Sequence, residues 1–292
     1  MSADESQPEH SAIFAPGLLA GQVAVVTGGG TGLGRATALE LVRNGATVLI
    51  TGRRREALDE AVDASPWAAE RLYGAVSDVR DAEECRRLIA EVLERHGRLD
   101  VLVNNAGGQF FSPAELISAN GWRAVWRLNV EGMLNMSEAA QELAFARQRG
   151  GRIVNVTLSP HHGMPGMAHS GSARATVEAL TRELAGRWSQ DGVSVTAIAV
   201  GVFETDALQK YPDTVKAGMS RTVPLQRLGT VQEHAWLAAL LASPIAASLT
   251  GATITIDGGR DNWWGSWPPP GLTDEAGNVP VEQRRAVTPE GG

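Results

Sequence analysis

The first residues able to do chemistry are Thr27-Gly28-Gly29-Gly30-Thr31-Gly32-Leu33-Gly34-Arg35, which follow an apolar run and precede a helical pattern that begins near Arg35. Glycines at such a junction permit a tight turn and let a pyrophosphate approach a helix N-terminus, where free N–H groups and the helix dipole favour negative charge. The spacing TGxxxGxG, rather than GxGxxG, points to one branch of the nucleotide-binding folds. Gly28, Thr31, Gly32, Leu33 and Gly34 are therefore the first cofactor candidates. The second group is Thr51-Gly52-Arg53-Arg54-Arg55, at the end of the next apolar run. A carboxylate here would accept hydrogen bonds from an adenosine 2′-hydroxyl and repel a 2′-phosphate, whereas guanidinium groups attract and grip the phosphate. NADP(H) is the expected cofactor, with Arg53 as the gripping residue and Arg54 and Arg55 at a solvated helix start. The third group is His161, His162 and His169. No Cys, Asp or Glu accompanies the adjacent pair at ligand spacing, so no metal site is expected. An imidazole titrates near neutral pH, and His162 is ranked first as a proton source. His169 reads equally well as a surface loop residue.

These groups need elements to hold them. Short, nearly continuous apolar runs at Val23 to Thr27, Thr47 to Thr51, Tyr73 to Val76, Val101 to Asn104, Arg152 to Val156, Ser194 to Ala199 and Thr253 to Asp257 read as strands covered on both faces. Between them, Cys85, Leu88, Ile89, Val92 and Leu93 recur at helical spacing, as do Val177, Leu180 and Leu184. Such alternation predicts an α/β chain: a single-domain, doubly wound Rossmann-type fold with a seven-stranded parallel sheet and helices on both faces. The domain is expected over residues 14–270, between a disordered tail at 1–13 and a C-terminal extension at 271–292 rich in Pro, Gly and charge. Trp263, Trp264 and Trp267 are too apolar to leave in water cheaply and are expected to pack, against a neighbouring subunit or within the monomer.

Composition bounds the partners. The 292 residues carry 33 acidic against 26 basic side chains, a net charge of −7, which offers no positive field for nucleic acid. The single cysteine, Cys85, excludes an internal disulfide, and no run of about 20 apolar residues is present to cross a bilayer. The acidic N-terminus lacks the pattern of a secretory signal and Glu290-Gly291-Gly292 is no peroxisomal address, so a cytoplasmic protein acting on a small molecule is expected.

The glycine run, Asn104-Asn105-Ala106-Gly107 after the fourth strand, Asn129 in the next helix and Asp257-Gly258-Gly259 at the last strand together resemble the short-chain dehydrogenase/reductase family, from about Ala15 to Arg260. The resemblance implies NAD(H) or NADP(H) binding and a homodimer or homotetramer built on the helices near Gly121 to Arg147 and Ser172 to Arg187, with Trp126, Trp188 and the Trp263 cluster as candidate contacts. It also implies that Asp78 and Val79 flank the adenine, that Asn104, Ala106 and Gly107 line the ribose side, that Gly201 joins the cofactor site, and that Asn129 orders an active-site water or serves helix packing. Most members carry a catalytic Ser, then Tyr, then Lys four residues later. Here Ser170 falls at the Tyr place, Arg174 at the Lys place and Leu158 near the Ser place. Of the two tyrosines, Tyr73 falls in or near the third strand and Tyr211 in the loop after the sixth.

A serine hydroxyl is a poor acid for the alkoxide left by carbonyl reduction, which needs a positioned proton donor. Hydride addition to the β-carbon of an enoyl thioester leaves a less basic enolate that neutral hydrogen-bond donors can hold. Arg174 keeps its charge and five donors but cannot shuttle a proton. A narrower resemblance agrees. Ala15 to Leu19, Gly107 to Glu115, Gly121-Trp122 and His169 to Ala175 are similar to the peroxisomal trans-2-enoyl-CoA reductases and, more distantly, the 2,4-dienoyl-CoA reductases. There, an amide in the loop after NNAG donates to the thioester oxygen, and Gln109 stands at that place. Gln109 otherwise caps a helix near Pro113, and Ser170 is also a candidate N-cap. The same motifs resemble bacterial reductases of terpenoid alcohols and aldehydes. Three activities follow as expectations: NADPH-dependent C=C reduction of an enoyl thioester or enone; a carbonyl or alcohol oxidoreductase using substrate assistance or Tyr211; and a catalytically silent dinucleotide-binding protein.

Overall fold

The computed structural model describes residues 10–67, 70–159, 161, 163, 166–206, 208, 219–220 and 223–263. Seven strands form one parallel sheet: β1 (Val23–Thr27), β2 (Thr47–Gly52), β3 (Leu72–Val76), β4 (Val101–Asn104), β5 (Gly151–Leu158), β6 (Val193–Val200) and β7 (Thr253–Ile256). Their spatial order is β3-β2-β1-β4-β5-β6-β7. The order reverses between β1 and β4, and a crevice opens there outside the carboxyl ends of the strands.

The longer helices among the described residues are α1 (Gly32–Arg43), α2 (Arg55–Asp63), α3 (Ala82–His96), α4 (Ala119–Trp126), α5 (Gly132–Ala140), α6 (Ala168–Trp188) and α7 (Val231–Ala242). Alternate side chains of each strand feed opposite layers. Ala24 and Val26 of β1 join Leu41, Ile50 and Leu241 on one face, while Val23 and Val25 join Ile89, Met136 and Ile153 on the other. Each buried aliphatic contributes about 1.5–3 kcal/mol of transfer free energy, so continuous apolar strands are stable only between two such layers.

The seven expected strands and their parallel arrangement are present, with small shifts at the ends. Strand β5 runs on through Thr157 and Leu158, and α1 begins at Gly32 rather than near Arg35. The proposed 1–13 tail and 271–292 extension lie largely outside the described residues, as do Trp264 and Trp267. Trp188 is 8% exposed and packs in the monomer core, which settles that residue in favour of core packing. No helix among the described residues is long and apolar enough to cross a membrane.

Candidate active site

At the carboxyl end of β1 the glycine run makes its turn. Gly28 sits at φ +64° and donates its N–H to Thr51 O at 2.7 Å, so the turn leans onto β2. A Cβ on Gly34 would lie 2.3 Å from Gly28 O, so the first turn of α1 packs flush against the loop. Thr31 is the N-cap residue of α1, and its side chain caps no N–H. The first N–H groups of α1 lack helical acceptors and remain available to an anion.

The loop after β4 is fastened to this turn. Thr27 Oγ1 accepts the N–H groups of Asn105 at 3.0 Å and Ala106 at 2.9 Å, and Asn105 Nδ2 donates to Thr27 O at 2.9 Å. Neither Thr27 nor the Asn105 side chain was singled out from the sequence, although their place beside the glycine and NNAG motifs was the available signal. Asn104 turns its amide inward, donating to Asn155 Oδ1 and Ser137 Oγ, each at 2.9 Å. That leaves the ribose contact suggested for Asn104 to its backbone. Val79 packs its side chain into the core, 6% exposed. Gly201 donates its N–H to Ile256 O at 3.0 Å and lets the chain leaving β6 pass Asp257. Arg53 is exposed directly after β2, and its charge joins that of Arg80 in holding the Asp78 carboxyl below its usual range; the side-chain hydrogen bond from Arg80 is the largest cause.

The catalytic candidates converge on the loop after β4. Asn129 lies in a π turn, Arg127–Glu131, between α4 and α5. It donates Nδ2 to Val125 O at 2.7 Å and to Gly108 O at 2.9 Å, and Oδ1 accepts the Gly108 N–H at 3.3 Å. The side chain thus bonds a carbonyl one turn back in the helix and holds Gly108 by both backbone groups. Ser170 is fully buried and its hydroxyl donates to Gln109 Oε1 at 2.9 Å. Ser170 is the third residue of α6, whose N-cap is Met167, and the short turn Ala114–Leu116 has Pro113 as its N-cap with no side chain capping it, so neither Ser170 nor Gln109 acts as the helix cap considered from the sequence. Arg174, one turn on, is pinned by Nη1 donating to Val156 O at 2.6 Å. Desolvation lowers its guanidinium pKa to about 10, which leaves it cationic at neutral pH. Gly107 passes so close that a Cβ there would lie 2.2 Å from Arg174 Nη2 and 2.8 Å from Asn129 Oδ1.

The histidines divide. His162 and Tyr211 lie outside the described residues. His169 is not a surface loop residue: it is 1% exposed in α6, its ring edge-on to Phe110 at 4.3 Å between centroids. Burial holds its pKa down, and neither ring nitrogen has a partner among the described residues. His161 meets two carboxylates from distant segments, Glu178 of α6 and Asp261 after β7. Residue spacing did not reveal these partners; the signal was Glu178, an acidic residue adjoining the apolar stripe of Val177, Leu180 and Leu184. No group of three His, Cys, Asp or Glu among the described residues suits a metal ion.

The site fits a dinucleotide: a turn flush with an uncapped helix start, an exposed cation after β2, and a glycine passing over a buried guanidinium. Residues 28–261 match the family model described as Enoyl-(Acyl carrier protein) reductase. The chain is 38% identical over 253 residues to a probable 2,4-dienoyl-CoA reductase of Bacillus subtilis, covering 85% of this chain and 98% of that one. It is 33% identical over 264 residues to a peroxisomal 2,4-dienoyl-CoA reductase of Danio rerio, covering 89% and 88%. A solved citronellol catabolism dehydrogenase of Pseudomonas aeruginosa superposes with a TM-score of 0.78 at 37% identity, covering 86% of this chain and all of that one. With that coverage and the parallel sheet that holds these loops, the chain belongs to the short-chain dehydrogenase/reductase family of nicotinamide-dependent oxidoreductases.

Proposed function

We propose that this protein is an NADPH-dependent reductase of the C=C bond in an α,β-unsaturated acyl thioester. The observation that carries the reading is the Ser170 hydroxyl donating to Gln109 Oε1 at 2.9 Å. That bond occupies the acceptor end of the amide and leaves its NH2 end to donate to a ligand. Gly28, Thr31, Gly32, Leu33 and Gly34 would take the pyrophosphate, Arg53 the 2′-phosphate, Asp78 and Val79 the adenine side, and Ala106, Gly107, Gly201 and the Asn104 backbone the remainder.

When bound, the reduced nicotinamide supplies hydride. Gln109 donates to the thioester oxygen as negative charge gathers there, a role that a neutral, preorganised amide can fill. Arg174 adds a positive field and anchors the ribose side without giving up a proton. Asn129 holds Gly108 and thereby fixes the step in the chain before Gln109. The proton for the α-carbon is assigned to the loop after β5, where the sequence offers His162.

Deuterated NADPH and a chain-length series of trans-2-enoyl-CoA substrates test the reading. Label on the β-carbon of a saturated acyl product supports it; consumption of no NADPH with any member refutes it. The similarity to the citronellol catabolism dehydrogenase favours a second reading, redox chemistry on a terpenoid alcohol or aldehyde, for which label would appear on a carbinol carbon. We also propose a homo-oligomer, because Leu116, Trp122 and Trp126 present apolar surface around α4.

A further inference from the structure

His161, shortly after β5, is tied to two other parts of the protein through its imidazole. His161 Nε2 lies 2.9 Å from Glu178 Oε1, its Nδ1 meets the Asp261 carboxylate, and its backbone N–H donates to Asp261 Oδ1 at 2.6 Å. Glu178 belongs to α6, one turn beyond Arg174, and Asp261 to the turn after β7. Both carboxylates are engaged. Glu178 is 8% exposed and its Oε1 also accepts the Thr157 hydroxyl at 3.1 Å. The Asp261 N–H donates to Asp257 Oδ2 at 2.7 Å, and Asp257 in turn accepts the Ser159 hydroxyl and the Gly259 N–H.

Counting donors decides the protonation state. An ionised carboxylate only accepts, and a neutral imidazole carries one N–H. Two carboxylates on two ring nitrogens therefore require two N–H groups, and the neutral ring would set one carboxylate against a lone pair. We propose that His161 is a positioning residue: as an imidazolium it fastens its own position after β5 to α6, one turn from Arg174, and to the turn after β7, and loss of its proton releases one fastening.

The charged groups around it are Glu178 and Arg174 of α6, and Asp257, Arg260 and Asp261 after β7. Burial opposes charging of the ring, but the hydrogen bond that the ring donates to Asp261 and the charges of both carboxylates outweigh it, so its pKa lies above the ordinary imidazole value. Arg174 is turned toward Val156 O, and Arg260 is itself held down by burial.

The activity arm of the test rests on the enoyl-reductase reading; the spectroscopic arm does not. Nitrogen NMR on the full chain with ring-labelled histidine, at about pH 7.5, should show both His161 nitrogens protonated, the signal being identified by its loss in His161→Gln. A neutral His161 ring at that pH overturns the proposal. In the native enzyme, kcat/KM for enoyl thioester should fall along an alkaline limb that follows the NMR titration of His161. His161→Arg, which keeps its charge and donors for both carboxylates, should lose that limb and retain activity, whereas His161→Gln should lose about tenfold in kcat/KM with NADPH affinity unchanged. An identical alkaline limb in His161→Arg also overturns it. If native protein reduces no enoyl thioester, the functional reading fails and the NMR result alone decides the fastening.

Discussion

The bond between Ser170 and Gln109 separates an orienting role from a direct one. Ser170 is fully buried, and Ser170→Ala, which replaces the hydroxyl by hydrogen, removes one neutral hydrogen bond and little volume. Such a bond is worth about 1 kcal/mol, or roughly fivefold in the population of correctly turned amide. Gln109→Leu removes the donor itself. Losing one donor to a developing oxyanion lowers turnover by about 100- to 1000-fold. The expected series, read as the loss of NADPH absorbance with a saturating enoyl thioester, is a kcat reduced about fivefold for Ser170→Ala, at least about 100-fold for Gln109→Leu, and no further for the double variant. The coupling energy should equal the whole effect of Ser170→Ala, because the hydroxyl has nothing to orient once the amide is gone. Additive losses, or a Ser170→Ala defect larger than that of Gln109→Leu, would refute the orienting role and place the hydroxyl on the substrate.

Other expectations follow from single contacts. Gly107→Ala sets a methyl 2.2 Å from Arg174 Nη2, so the cation must leave its place, and kcat/KM should drop about tenfold or more; unchanged kcat/KM would refute the placement of Arg174. Arg53→Asp exchanges a guanidinium for a repelling carboxylate and should lower the preference for NADPH over NADH about 100-fold, measured as the ratio of kcat/KM values. His234, fully buried beside Thr37, has its pKa pushed down to about 4 by burial. The unfolded chain therefore binds the extra proton between about pH 6.5 and 4, so stability is complete above that window and falls through it by about 3 kcal/mol. His234→Phe should flatten the dependence of urea midpoints on pH in that range. Light scattering on the purified chain should give a dimer or tetramer mass; a monomer at micromolar concentration refutes the reading of the α4 surface.

Much of the fold was legible because parallel strands buried on both faces must be apolar along their whole length, and the seven runs stand out as blocks. The glycine turn was equally legible, since only a residue without Cβ lets Gly34 close on Gly28 O. The ends were not. Thr157 and Leu158 extend β5 because Thr157 pairs with Ala199 of β6, a register that local composition does not encode. For the same reason the helix start at Gly32 was misplaced by three residues: nothing in the chain marks where an uncapped helix begins.

Residue types alone determined that a dinucleotide turn follows β1, that cations rather than a carboxylate follow β2, and that the sixth helix carries serine and arginine one turn apart. Tertiary structure decided which side chains meet. Gln109 and Ser170 are 61 positions apart and His161 and Asp261 are 100 apart, distances along the chain that no periodicity can bridge. It also buried His169 and turned the Asn104 amide inward. Hydrogen bonding requires a partner within about 3 Å, and only the packing of α6 against β5 and β6, at the end of the sheet where the loops after β4 and β7 emerge, brings those partners there.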